Sequence, residues 1–166
     1  MALAMLAMKR KIFWLEPAHP ALVEDLQRWV AARIGTRPER SAVIRGVLDC
    51  IAEWANPKHP DYGWFVETAS AQHTLRGQER QPRNYYVWPR NFIQLRQVTA
   101  QLAELGVLVD ESMLVRLALE RIATRFTSGD CLFISGFGKK VEQNIAPKGR
   151  ASTAALGGAQ LPMASD

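Results

Sequence analysis

Apolar positions fall at helical spacing in four stretches of the chain, and the four come as two pairs. Leu22, Leu26, Trp29, Val30 and Ile34 make one stripe, with Glu24, Asp25 and Arg28 on the opposite side. Val43, Ile44, Val47, Leu48, Ile51 and Trp54 make a second. Phe92, Leu95, Val98, Leu102 and Leu105 make a third, and Leu114, Val115, Ala118, Leu119, Ile122 and Phe126 a fourth. Steps of three and four residues gather side chains on one face of a helix, so each stretch predicts an amphipathic helix. Pro17 and Pro20 mark the start of the first and Pro89 that of the third, because Pro suits the first helical turn. Gly35 and Gly106 stop those helices. Ser41 reads as the N-cap of the second helix, and Asp110 or Ser112 as that of the fourth. Ahead of each pair lies a short run of bulky residues, Lys11–Leu15 and Asn84–Trp88, that reads as a strand.

The two halves repeat one another in order. Ser41-Ala42-Val43-Ile44-Arg45 and Ser112-Met113-Leu114-Val115-Arg116 lie 71 positions apart, as do Gly35 and Gly106. Phe13-Trp14-Leu15-Glu16-Pro17 meets Tyr85-Tyr86-Val87-Trp88-Pro89 at 72, a slip of one residue. A repeated unit of strand, helix, Gly turn and helix sets the architecture before any finer reading. Each unit is small enough to need a partner for its core, and two in one chain can supply that core to each other.

These patterns divide the chain into a loose leader over 1–8, a first unit over 9–55, a linker over 56–83, a second unit over 84–126 and a tail over 127–166. The tail is rich in Gly, Ala, Ser and Pro from about 139 and reads as disordered there. Cys131–Ile134 within it reads as a short strand or an apolar anchor. The net charge is +5, with 21 basic residues against 16 acidic ones, which suits a polyanionic partner without requiring one. Cys50 and Cys131 form neither a disulfide framework nor a metal spacing, and Cys50 reads as a small buried hydrophobe. Met1–Met8 is apolar, but the basic cluster Lys9-Arg10-Lys11 follows it, the wrong order for a signal peptide. No stretch reaches membrane-spanning length.

A short strand, a Pro-started helix, a Gly turn and a Ser-capped helix opening on Ile/Val-Arg resembles the ribbon-helix-helix (MetJ/Arc-type) DNA-binding family. Tyr86-Val87-Trp88-Pro89-Arg90 resembles that family's strand-to-helix junction, and Ser41–Arg45 the opening of its second helix. The resemblance covers roughly 11–55 and 84–126. It implies a mainly α fold with a short two-stranded antiparallel ribbon, here a tandem ribbon-helix-helix pseudo-dimer in one chain. It implies double-stranded DNA as partner, read by the ribbon in the major groove. Tandem single-chain forms are similar to accessory proteins of conjugative plasmid relaxosomes and of T-DNA border processing. A transcriptional regulator is an equal possibility, and either role implies a cytoplasmic, nucleoid-associated protein, with higher oligomers on DNA left open.

Alternate side chains of a ribbon face DNA and core. Aligning Pro17 and Pro89 with the family's helix-start Pro puts Lys11, Phe13 and Leu15 outward on one strand, and Arg83, Tyr85 and Val87 on the other. A shift of one residue would expose Arg10, Ile12, Trp14, Asn84 and Tyr86 instead. The start of the family's second helix grips the DNA backbone, through its free N–H groups and dipole. That role falls to Arg37, Arg40, Ser41 and Arg45 in the first unit and to Ser112 and Arg116 in the second. Asp110 and Glu111 precede Ser112, so the halves are expected to grip unequally. Gly46, inside a helix, points to a close approach by another helix, and its counterpart Leu117 is large.

No catalytic or metal constellation emerges, and no cofactor is expected. His19, His59 and His73 are scattered and read as surface residues. Ser135–Lys140 lacks the glycine spacing of a phosphate loop. Two other readings stand beside DNA binding. One is an antitoxin-like module whose tail, anchored by Leu132-Phe133-Ile134, binds a partner protein. The other is a small helical enzyme or RNA-binding protein.

Overall fold

Two strands and six helices account for the ordered elements of a computed structural model, which describes residues 7–72 and 79–147. In chain order they are β1 (Lys9–Leu15), α1 (Ala18–Ile34), α2 (Arg40–Trp54), α3 (Tyr62–Gln72), β2 (Gln81–Val87), α4 (Pro89–Glu104), α5 (Glu111–Thr127) and α6 (Cys131–Gln143). The fold is mostly helical, with one two-stranded antiparallel sheet.

The strands pair from Lys9 opposite Val87 to Leu15 opposite Gln81, so Ile12 stands opposite Asn84 at the centre. No hairpin turn sets this register. The helices do. The Trp14 amide donates to Ser112 Oγ and the Tyr86 amide to Ser41 Oγ, each at 2.9 Å. The carbonyl of Trp14 accepts from Arg116 Nη1 at 2.5 Å, and that of Tyr86 from Arg45 Nη1 at 2.6 Å. Both strands are thus clamped at one residue by the first turns of the opposite unit's helix.

Gly35 and Gly106 take φ of 82° and 80°, ending α1 and the turn after α4 as their sequence predicts. The expected N-cap at Ser41 is corrected: the N-cap position of α2 is Glu39, whose side chain makes no capping bond, and Ser41 instead spends its oxygen on the strand. Asp110 caps α5, accepting from the Met113 amide at 2.7 Å. At the first turns of α1 and α4 the same device recurs. The Glu16 amide donates to His19 Nδ1 at 3.1 Å, and the Trp88 amide to Asn91 Oδ1 at 2.8 Å.

Two segments expected to be irregular contain helices. The stretch 56–83, read as a linker, contains α3 and the start of β2. The segment after 127, read as tail, contains α6, which replaces both the strand at Cys131–Ile134 and the disorder expected from 139 to 143. Each helix buries one pair of side chains a turn apart: Phe65 and Ala69 in α3, Phe137 and Val141 in α6. α3 packs on α5, and α6 packs on α2 and α1. A Cβ on Gly46 would lie 2.9 Å from Val141 Cγ2, so the glycine admits α6 to the core. The expectations for residues 1–6 and for 148–166 lie outside the described residues.

Candidate nucleic-acid interface

The burial of the ribbon decides which face is available. Phe13, Leu15, Tyr85 and Val87 are buried against the helices. Burial also pushes the Tyr85 phenol above its ordinary range. The outward positions expected for these four residues are therefore corrected. Lys11 and Arg83 share their parity. Lys11 is partly buried and paired with Glu111, beneath the ring of Phe92, and Arg83 is exposed beside Gln81. The face turned away from the helices carries Arg10, Ile12 and Trp14 on β1 and Pro82, Asn84 and Tyr86 on β2. Ile12, Trp14 and Tyr86 are 45%, 52% and 53% exposed, high for such apolar side chains. No hydrogen bond or ion pair engages the side chains of Arg10 or Asn84 among the described residues.

The sequence contains a signal for this parity. At the repeat offset Phe13 meets Tyr85 and Leu15 meets Val87, matched in bulk and apolarity as core positions must be. Arg10 meets Pro82 and Ile12 meets Asn84, pairs that no common core would accept. Trp14 and Tyr86 match and are nonetheless exposed, which only the structure reveals.

The phosphate-binding set is divided by the structure. Arg45 is fully buried, and it donates to the carbonyls of Asn144 and Tyr86 and to Glu39 Oε1. Desolvation lowers its pKa, opposed by Glu39. Arg116 is 5% exposed and donates to the Trp14 carbonyl. Both arginines are clamps on the ribbon, so the expected contact with a duplex backbone is corrected for each. Ser41 and Ser112 are likewise committed to strand amides. Arg37 and Arg40 remain exposed beside the start of α2, Arg40 held to Glu24 at 3.0 Å and Arg37 reaching Gln27 at 3.5 Å. A cleft of about 250 Å³ runs from Arg40 and Glu24 to Arg83 and Asn84, joining this basic corner to the ribbon.

His19, expected at the surface, is 1% exposed. Its Nδ1 accepts the Glu16 amide, so Nε2 carries the proton and donates to Glu120 Oε2 at 2.7 Å. Ligand atoms of Glu16, His19 and Glu120 lie within 4.8 Å of one another, a spacing a metal ion could bridge. Both imidazole nitrogens are already satisfied by the cap and the carboxylate, so the packing of α1 on α5 explains the cluster without an ion. His59 accepts the Asp61 amide in a turn, and His73 lies outside the described residues.

Among the described residues, no helix is long and apolar enough to cross a membrane. Comparison of the chain with protein-family models, with curated proteins and with solved structures finds no match.

Proposed function

We propose that this chain is a single-chain ribbon-helix-helix protein, a pseudo-dimer of two units, that binds double-stranded DNA in a sequence-dependent way. It would act without chemistry, as a transcriptional regulator or as an accessory factor in DNA processing. The observation that carries the reading is the outer ribbon face. It is solvent-exposed, rich in side chains suited to base edges, and held in one register by two equivalent Ser–Arg clamps.

The geometry supports the pseudo-dimer in several independent places. Ribbon pairing is centred on Ile12 and Asn84, positions equivalent at the offset of 72. Strand clamps, helix-start hydrogen bonds and the buried pairs of α3 and α6 all recur at 71 or 72. A two-stranded ribbon fits the major groove of B-DNA. There Arg10 suits guanine and Asn84 suits adenine, while Ile12, Trp14 and Tyr86 suit the thymine methyl. Arg40 and Arg83 lie on one flank of the face, where phosphates would pass, and Arg37 is exposed just ahead of α2. The other flank carries Asp110 and Glu111, so the two sides would hold the backbone unequally.

Selection from random duplexes, followed by binding measurements at several salt concentrations, tests the reading. Arg10→Ala or Asn84→Ala should each cost about 1–3 kcal/mol at the base they read and relax preference there. Arg37→Ala should weaken all duplexes alike and flatten the log–log salt slope by roughly 0.9 for each phosphate no longer neutralised. Unchanged affinity and preference in all three variants would remove the ribbon from the interface. Because Arg10 is the repeat counterpart of Pro82 and Ile12 that of Asn84, the two strands present different side chains and the selected site should lack a palindrome.

A further inference from the structure

A second feature goes beyond duplex binding and does not depend on it. Between β1 and the start of α5 lies a cleft of about 620 Å³. Ile12, Trp14 and Val109 give it an apolar wall, and Arg80, Ser112 and Arg116 give it donors. Two of those donors have no acceptor among the described residues: Arg116 Nη2 and Arg80 Nε are both buried from solvent and make no hydrogen bond. Leaving such a group unmade is costly, so buried N–H groups of guanidinium are nearly always satisfied.

The carboxylates at the cleft are already engaged. Glu111 pairs with Lys11, and Asp110 caps α5 through the Met113 amide. The nearest carboxylate to Arg80, on Glu16, stands 3.9 Å from Nε, beyond hydrogen-bond reach. Ser112 Oγ accepts from the Trp14 amide, which leaves its own O–H proton to donate. The cleft therefore holds donors that meet no acceptor, while its two carboxylates are each bound to another group. Desolvation, and after it the neighbouring Arg80, lowers the Arg116 pKa, opposed by Asp110, Glu16 and Glu120.

The molecule contains its own control. Arg45 occupies the equivalent position in the first unit and makes the equivalent bond to a ribbon carbonyl. Its remaining N–H groups are met by the carbonyl of Asn144 after α6, the carboxylate of Glu39 and the sulfur of Met8. The same residue in the same fold takes a carbonyl and a carboxylate as partners. At Arg116 the residue equivalent to Glu39 is Asp110, which is shorter and spent on its helix.

We infer that the cleft beside Arg116 binds a small organic oxyanion. Its carboxylate or phosphate oxygens would accept from Arg116 Nη2, Arg80 Nε and the Ser112 hydroxyl. Its planar apolar body would lie against Trp14 and Ile12. A bare inorganic ion would satisfy the donors and leave the apolar wall uncovered, so the organic anion binds more tightly.

Titration of the full chain, labelled with 15N, by phenyl phosphate, benzoate and inorganic phosphate tests this by nuclear magnetic resonance, with sodium chloride as the ionic-strength control. Saturable shifts are expected at the Arg116 and Arg80 Nε–H, the Ser112 amide and the Trp14 indole. The dissociation constant should be about 1 mM or tighter for phenyl phosphate or benzoate, and inorganic phosphate should bind more weakly. Which organic anion binds more tightly separates a phosphate site from a carboxylate site. Arg80→Gln, at a partly exposed position outside the helices, should weaken binding at least tenfold while leaving the α5 resonances in place. Shifts no larger than those with sodium chloride, shifts centred on Arg45, or unchanged affinity in Arg80→Gln would each overturn the inference. No DNA is present, so failure here leaves the ribbon reading standing, and failure of duplex binding leaves this site standing.

Discussion

Replacing Gly46 by Ala should destabilise the protein, although the same change in an exposed helix stabilises. Ala exceeds Gly in a helix interior by roughly 1 kcal/mol. Against that gain stands the position of α6. The new Cβ would lie 2.9 Å from Val141 Cγ2 and 3.6 Å from the Phe137 ring. Contact between carbons is optimal near about 3.5–4.0 Å, so α6 must retreat by more than half an ångström. Val141 cannot swing aside, because its β-branched side chain has one favoured rotamer in a helix. Overpacking of this kind costs about 1–3 kcal/mol, so the net change lies between neutral and roughly 2 kcal/mol of destabilisation. The sign is best read in a double-mutant cycle by urea unfolding. Val141→Ala alone removes buried methyl groups and costs about 2 kcal/mol. In that background the clash is gone, and Gly46→Ala should turn stabilising by up to roughly 1 kcal/mol. The reasoning is refuted if Gly46→Ala stabilises the parent chain as much as it stabilises the Val141→Ala variant, since α6 would then not press on α2.

Three further outcomes are expected. A selected duplex in which deoxyuridine replaces the thymines facing Ile12, Trp14 and Tyr86 should lose about 0.8 kcal/mol per buried methyl, roughly a fourfold drop each; equal binding of the uracil duplex would show that these side chains do not meet the bases. Asp130 caps α6, and its backbone bond to the Phe133 amide, followed by its bond to Arg125, holds its carboxyl below the usual range. A depressed native pKa contributes stability above the ordinary carboxylate value that is lost as pH falls through the lower one. Amide exchange at Phe133 and Ile134 should therefore accelerate on acidification in that window, and Asp130→Asn should abolish the dependence. Cys131 is exposed, whereas Cys50 is buried and desolvation drives its thiol far up; a thiol reagent should modify one cysteine in the native state and the second only on unfolding.

How much was legible follows from how each element earns its place. The four long helices could be read because each buries a continuous stripe, as Val43 to Trp54 does in α2. α3 and α6 could not, because each buries only two side chains fully, Phe65 with Ala69 and Phe137 with Val141, beside the side-chainless Gly138. Two residues one turn apart set no period, and Gly136 and Gly138 lend α6 the composition of a flexible tail. The one hint is Gly46, whose missing side chain implies a neighbour without saying which. The candidate interface is half legible. Repeat matching locates the ribbon, but Pro alignment chooses the face that is buried, and the Ser41, Arg45, Ser112 and Arg116 side chains expected at phosphates are turned inward. Their chemistry is hydrogen bonding to a backbone, as the sequence suggests, but the backbone is the protein's own.

The inward use of those residues explains how two diverged halves keep one geometry. Ser41 with Arg45 and Ser112 with Arg116 each fasten a strand at its amide and carbonyl, and these two positions are identical between the units. Slipping the ribbon by one residue would break both clamps at once and turn Phe13, Leu15, Tyr85 and Val87 toward solvent. Register is thereby independent of what the outer face carries, and that face is free to differ. The core follows the same logic. Gly46 meets the bulky Val141, whereas their counterparts are the bulky Leu117 and the small Ala69, on helices that also pack together. Both bulky residues belong to the second unit and both small ones to the first, so the two packings are no longer interchangeable. An exchange of equivalent helices between copies of the chain would place Leu117 against Val141 and Gly46 against Ala69, one overfilled and one underfilled. The complementary sizes favour pairing within a single chain, which is what an interface with different residues on its two strands requires.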